Sequence, residues 1–181
     1  THADEALRLL GDADPAEQQL LGAWRYTRNR AVLHSDASLM PRRRQVWSSW
    51  NFIGDAAAGQ DRQLCITYWM NRLQGLDPAA PLFVTLNPVH EPRPDTVMGT
   101  FDYAHPFFDR AALASQEDLW SLQGHRRTWF CGSYFGAGFH EDALQSGLAV
   151  AEQLGGLARP WQVDNANGRI RLPAALQDAA E

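Results

Sequence analysis

Thr128-Trp-Phe-Cys-Gly-Ser-Tyr-Phe-Gly-Ala-Gly-Phe-His-Glu-Asp-Ala-Leu-Gln-Ser-Gly-Leu-Ala-Val-Ala-Glu-Gln-Leu-Gly155 carries the reading of the fold. It opens on an apolar run, Trp129 to Cys131, the size of a short buried strand. Glycines follow at 132, 136 and 138. Leu144, Gly147, Leu148, Ala151 and Leu154 then recur at three- and four-residue spacing, as on one face of a helix. Glu141 and Asp142 fall in its first turn, where the macrodipole favours acids, and Gly155 stops it. Strand, glycine loop and helix together aim free backbone N–H groups at an anion, most often a phosphate. The pattern alone leaves two readings open. Gly136-Ala-Gly138-Phe-His-Glu141 starts as G-x-G-x-x-G but ends in Glu. It is either a nucleotide contact or an ordinary strand-to-helix turn that needs glycine for positive φ. A full dinucleotide domain carries its fingerprint after the first strand, whereas here only a short, turn-rich tail follows.

Outward from this stretch, Asp14-Pro15 reads as the cap and first position of a short helix through Leu21. Residues 24–34 alternate as a strand. Residues 45–53 read as a second, with Val46, Ser48, Trp50 and Phe52 on one side and Trp47, Ser49, Asn51 and Ile53 on the other. Gly54 to Gln60 is the turn and 64–70 the return strand of an antiparallel hairpin or meander. Further strands are expected at 82–86 and 97–103, with a Pro-rich loop over 87–95 between them. Residues 108–122 hold a helix, with Leu113, Gln116, Leu119 and Trp120 toward one face. The tail after Gly155 has room for one strand, at 169–172.

Composition bounds the function. Of 181 residues, 45% are hydrophobic and 20% charged, values of a globular chain of one or two domains. The net charge of −5 argues against nucleic acid and anionic membrane. No apolar run reaches the roughly 18 residues of a membrane helix, and no signal peptide opens the chain. Cys65 and Cys131 lie far apart in apolar runs, and read as buried free thiols of a reducing, cytoplasmic compartment. All 16 basic residues are Arg. Their only cluster, Arg42-Arg-Arg44, reads as a solvated strand edge or as a phosphate site.

Few residues look catalytic. His140-Glu141-Asp142 cannot share a helix face, there is no H-E-x-x-H or C-x-x-C, and no metal is expected. His34, His90 and His105 sit at strand ends and turns. Gly132-Ser133 lacks the flanks of a nucleophile elbow. Apolar neighbours of Cys131 give its thiol no activating partner. The aromatic supply is large, with seven Trp, four Tyr and eight Phe. Trp47, Trp50, Phe52, Tyr68 and Trp69 fall on strands expected to pair. They read as core packing or as the wall of an apolar cavity.

The segment Thr128–Gly155 resembles the C-terminal flavin-binding signature of the flavin-containing amine oxidase superfamily. The chain is similar in particular to bacterial amine-oxidase-like, NAD/FAD-binding flavoproteins. The resemblance extends to Leu39-Met-Pro-Arg-Arg-Arg44, Ser49-Trp-Asn51, Thr67-Tyr-Trp-Met-Asn-Arg-Leu73 and Phe83-Val-Thr-Leu-Asn-Pro88, and covers most of residues 1–156. Members of that superfamily are two to three times longer and open with a dinucleotide fingerprint that this chain lacks. By resemblance, the chain is the C-terminal part of an FAD-dependent oxidoreductase. The family pattern Gly-Tyr-x-Glu-Gly-Ala appears here as Gly138-Phe-His-Glu-Asp-Ala143. Gly132, Ser133, Gly138, Phe139, His140, Glu141, Asp142 and Ala143 are therefore the expected FAD contacts. The Asp142 and Ala143 amides are expected to be free for the flavin carbonyl. Trp50, Asn51, Tyr68 and Trp69 are the expected substrate wall. Two departures separate the chain from simple amine oxidases: Phe139 stands where the aromatic cage has Tyr, and a chain without Lys cannot supply the lysine kept near the flavin.

The expected fold is α+β: a mixed, largely antiparallel sheet of a substrate domain over 1–123, then over 124–156 the last strand and helix of an FAD-binding, Rossmann-like domain, then an irregular tail over 157–181. The expected activity is hydride transfer to flavin from an apolar, lipid- or polyene-like small molecule. The alternatives are a flavin amine oxidase and a truncated, non-enzymatic binding module. The isolated chain is expected to be inactive and to self-associate through an uncovered sheet edge.

Overall fold

The computed structural model describes residues 1–54 and 65–173. Most of the turn expected at 54–60 lies outside them. The fold is mixed α and β, and the chain divides into two compact units, Arg28–His105 and the pair of segments Thr1–Thr27 and Pro106–Glu181. These divisions fall at 27/28 and 105/106.

Alternating side chains build the first unit around a five-stranded antiparallel sheet. Its strands are β1 (Arg25–His34), β2 (Trp50–Ile53), β3 (Cys65–Trp69), β4 (Phe83–Leu86) and β5 (Val97–Phe107), in the order β2-β3-β4-β1-β5. Register fixes the two faces. Trp50 lies opposite Tyr68, Tyr68 opposite Val84, and Val84 opposite Leu33. Phe52, Ile66, Leu86 and Ala31 form the next row of that face. Asn51, Thr67, Thr85 and Val32 align on the other face, beside Trp69, Phe83 and His34. That second face is the covered one: Thr67, Thr85, Phe83 and His34 are fully buried. On the first face Trp50 and Phe52 remain exposed. After β3 the helix α3 (Met70–Gln74) ends at Gly75, whose φ of 64° suits glycine.

The second strand is shorter than its alternation implies. Arg44–Val46 is a 3₁₀ turn, and the strand begins only at Trp50. Local bonds compete with the ladder here. The Trp47 indole N–H donates to Pro41 O at 2.7 Å. The Asn51 amide accepts from Ser48 N and donates to Ser48 O.

A directed chain of hydrogen bonds crosses the covered face. The Asp36 N–H donates to His34 Nδ1 at 3.1 Å, so a neutral ring carries its proton on Nε2. Nε2 then donates to Thr85 Oγ1 at 2.8 Å. Thr85 and Thr67 hydroxyls meet at 2.9 Å, and Thr67 donates on to Leu39 O. Every polar group in the row is satisfied, as buried polar groups require.

The other unit is helical. It holds α1 (Ala3–Leu9), α2 (Pro15–Gly22), α4 (Arg110–Asp118) and α5 (His140–Gly155). The start of α2 is the expected one: Asp14 Oδ1 accepts from Glu17 N, and Glu17 Oε2 accepts from Asp14 N, a capping box with Pro at the first helical position. The helix α4 is capped by Asp109 and passes into a 3₁₀ turn over Leu119–Leu122, within the expected 108–122. Leu21, Trp24, Leu119, Trp120, Tyr134 and Phe135 pack the core.

Two expected strands are absent from this unit's described residues. Trp129–Cys131 is extended chain without a neighbouring strand. The Gln123 side chain takes the ladder's place: its Oε1 accepts from Phe130 N at 2.8 Å, and its Nε2 donates to Phe130 O at 2.7 Å. Phe130 is thus buried with its backbone satisfied and no sheet. The tail at 169–172 is likewise irregular, although Ile170 and Leu172 enter the core. The last helix runs to Gly155 as expected, with Gly156 as the left-handed cap at φ 65°.

Candidate functional site: the glycine loop and the start of the last helix

The loop expected between Cys131 and α5 is present, and each of its glycines has a separate physical reason. Gly132 is pinned to α5: its N–H donates to Ser146 Oγ at 3.0 Å, and its carbonyl lies 3.1 Å from the same hydroxyl. A Cβ there would lie 2.5 Å from the Tyr134 ring and 2.8 Å from Thr1 O. Ser133 opens a 3₁₀ turn through Phe135, and its carbonyl accepts from both Gly136 N and Gly138 N. A Cβ on Gly136 would meet Arg169 O at 2.6 Å and Asp142 Cγ at 2.7 Å. Gly138 adopts φ 93°, which turns the chain into the helix.

Helix α5 begins with Phe139 as its cap residue. Asp142 is fully buried, and its carboxylate closes the first turn from within: Oδ2 accepts from Phe139 N at 2.7 Å and Oδ1 from Arg169 Nε at 2.6 Å. The Asp142 and Ala143 amides are not free, contrary to expectation. Both donate to Phe139 O, at 3.1 and 3.3 Å. The first turn is drawn tight, and Ala143 already begins the regular ladder. Among the described residues, the amides with no partner are those of His140 and Glu141, two residues earlier than the family pattern implied. Phe139, His140 and Glu141 are exposed beside them.

Arg169 is the residue that sequence reasoning missed. The tail was assigned no role, yet Arg169 pairs with Asp142, its N–H donates to Gln145 Oε1 at 3.0 Å, and its guanidinium lies 5.4 Å from the Phe139 ring centroid. Arg159 holds the same tail through two bonds from Nε and Nη2 to Glu152. The alternation Arg169-Ile-Arg-Leu172 was the available signal. Its apolar members dock in the core rather than in a sheet.

The four expected wall residues do not share a surface. Trp50 and Tyr68 are cross-strand partners on the open face, with rings edge-on at 5.9 Å. Asn51 and Trp69 lie on the covered face. Asn51 is tied to Ser48 and Thr67, and Trp69 packs edge-on against Trp47 at 5.3 Å. The open face has Phe52, Ile66, Val84, Leu86 and Leu33 around Trp50 and Tyr68, an apolar surface with no charge among them.

One of the two thiols departs from expectation. Cys65 is buried, and burial pushes its pKa up; Cys131 is exposed, because the chain beside it has no covering strand. Among the described residues no three His, Cys, Asp or Glu side chains gather as metal ligands, and no helix is long and apolar enough to cross a membrane. Compared with known protein families the chain matches none, and no curated protein matches it.

Proposed function

We propose that this chain is the substrate-facing sheet and flavin-edge helix of an FAD-dependent oxidoreductase that removes hydride from an apolar, lipid- or polyene-like substrate. One observation carries the reading: a glycine loop opens onto a helix start whose first turn is capped from inside by buried Asp142, leaving the His140 and Glu141 N–H groups without a partner among the described residues. Those donors fit a flavin's pyrimidine edge, which offers carbonyl acceptors and gains negative charge on reduction. The resemblance of residues 128–155 to the flavin signature gives the cofactor its identity. FAD supplies a two-electron acceptor for hydride leaving a substrate carbon.

The chain's own residues have separate tasks in this reading. His140 and Glu141 hold the ring edge by backbone. Phe139, 59% exposed, offers it an apolar side. Ser133 takes the ribityl or phosphate end in this reading, as a weaker contact than an acid. Trp50 and Tyr68 give the substrate an apolar surface, and Asn51 and Trp69 hold that strand pair from behind. No lysine is present to assist amine chemistry, and the described residues of β2, β3 and β4 include no carboxylate to meet an ammonium ion, whose desolvation would then be unopposed by them. An amine substrate is therefore disfavoured.

Anaerobic stopped-flow reduction of the intact flavoprotein tests this. Bleaching of the 450 nm flavin band by unsaturated fatty acyl or polyene compounds is expected. Rapid bleaching by simple monoamines or polyamines, without response to the apolar compounds, would defeat the proposal.

A further inference from the structure

The structure gathers at one end of β2 and β3 a group of side chains that the redox reading does not use. Arg42, Arg43 and Arg44 are exposed in the turn before β2, and Arg72 is exposed on α3, just after β3. Trp47 joins the two segments: the Arg44 guanidinium lies 5.4 Å from its ring centroid, and Arg72 Nη1 donates to its carbonyl at 3.2 Å. No Asp or Glu occurs in residues 37–54 or 65–76; of the described acids that flank them, Asp36 pairs with Arg93 and Asp77 lies five residues beyond Arg72. Among the described residues none of the four arginines forms an ion pair. This is a local cationic corner on a chain of net charge −5.

Apolar side chains stand among the arginines with no cover. Val46 is 58% exposed and Trp50 63%. Leu73 on α3 is 43% exposed, and Leu76, just past the Gly75 cap, 38%. Cations beside exposed aliphatic and indole groups match a bilayer interface, where phosphates take the guanidinium groups and apolar tips enter the headgroup boundary. A nucleic acid would meet the same charges but gains nothing from Val46, Leu73 and Leu76.

We propose that this corner docks the protein on an anionic lipid surface. Arg42, Arg43, Arg44 and Arg72 meet the headgroup phosphates, and Val46, Leu73 and Leu76 enter the interfacial layer. The charge is complementary, and the apolar groups are already uncovered. The inference goes beyond the flavin reading and does not depend on it, because its test needs no flavin.

The test is flotation of the full chain with vesicles of phosphatidylglycerol and phosphatidylcholine in equal parts, against vesicles of phosphatidylcholine alone. Binding to the anionic vesicles only is expected, weakened by raised salt. Arg42→Gln/Arg43→Gln/Arg44→Gln should lower the partition about a hundredfold, at roughly fivefold per arginine. Arg72→Gln, on a separate element, should lower it about fivefold. Val46→Ser/Leu73→Ser should lower it about tenfold or more while circular dichroism stays unchanged. Equal binding to neutral vesicles, undiminished binding by the triple variant, or tighter retention of a single-stranded oligonucleotide than of the anionic vesicles would each overturn the proposal.

Discussion

His34 and Asp36 show how much one pair of adjacent side chains decides. Asp36 is 3% exposed. Burial alone would raise its pKa, but the N–H groups of Arg93 and Ser38 and the Arg93 guanidinium outweigh burial and bring it down to about 2. A carboxylate held below its unfolded pKa stabilises the fold above that unfolded value, near 4, and loses the contribution as pH falls toward 2. The full effect is about 2 kcal/mol. His34 acts in the same direction. Burial lowers its pKa, against the weaker opposing pull of Asp36. The unfolded chain therefore takes up a proton first, and stability declines as pH drops below about 6.5. Urea unfolding at steps from pH 7.5 to 3 should show a two-stage decline, and Asp36→Asn should remove the lower stage. A flat profile through pH 3 would contradict the assignment. The alternation of β1 revealed that His34 lies at a strand end. It did not reveal that its Nδ1 accepts from the Asp36 amide, because that bond depends on the chain turning immediately after the strand.

Among elements, the union of the glycine loop with α5 rests on one hydroxyl. Ser146 Oγ accepts from Gly132 N and lies within hydrogen-bond distance of both Gly132 O and Ala143 O. Ser146→Ala leaves the buried Gly132 N–H unsatisfied, which should cost about 1–3 kcal/mol. Thermal unfolding gives the loss, and hydrogen exchange should show it concentrated at Gly132. A variant as stable as the parent would mean that water or a shifted loop replaces the hydroxyl. Helix α5 was legible because apolar spacing, acids in the first turn and a terminal glycine agree. Its free amides were misplaced because pattern does not say where the first turn tightens. The strand at Trp129–Cys131 failed for another reason. An apolar run of three specifies burial, and burial can be satisfied by a side-chain amide such as Gln123 as well as by a ladder. Arg44–Val46 likewise alternates as a strand would, and Asn51 bends the chain before pairing can start.

For the whole molecule, the strands expected at 24–34, 64–70, 82–86 and 97–103 made the antiparallel sheet legible, although the last runs on to Phe107. Which face would be covered was not, since period two assigns alternate sides without naming them. Asn51 and Trp69 were for that reason grouped with Trp50 and Tyr68. The division of the chain at 27/28 and 105/106 was hidden too, because the helical unit is assembled from two distant segments and no linker composition marks the joins. The contrast between the two thiols has a practical consequence at this scale. Cys131 is exposed and adjoins Gly132, while Cys65 is 1% exposed inside the sheet. An excess of maleimide dye on the native chain should therefore attach once and rapidly, at the glycine loop. The second attachment should wait for the sheet to open, at a rate set by global or subglobal unfolding. Intact-mass spectrometry would resolve the two additions as separate clocks, and simultaneous double labelling of native protein would count against the burial of Cys65. The chain thus contains its own pair of reporters, one for the mouth of the loop and one for the integrity of the sheet, with no residue changed to install them.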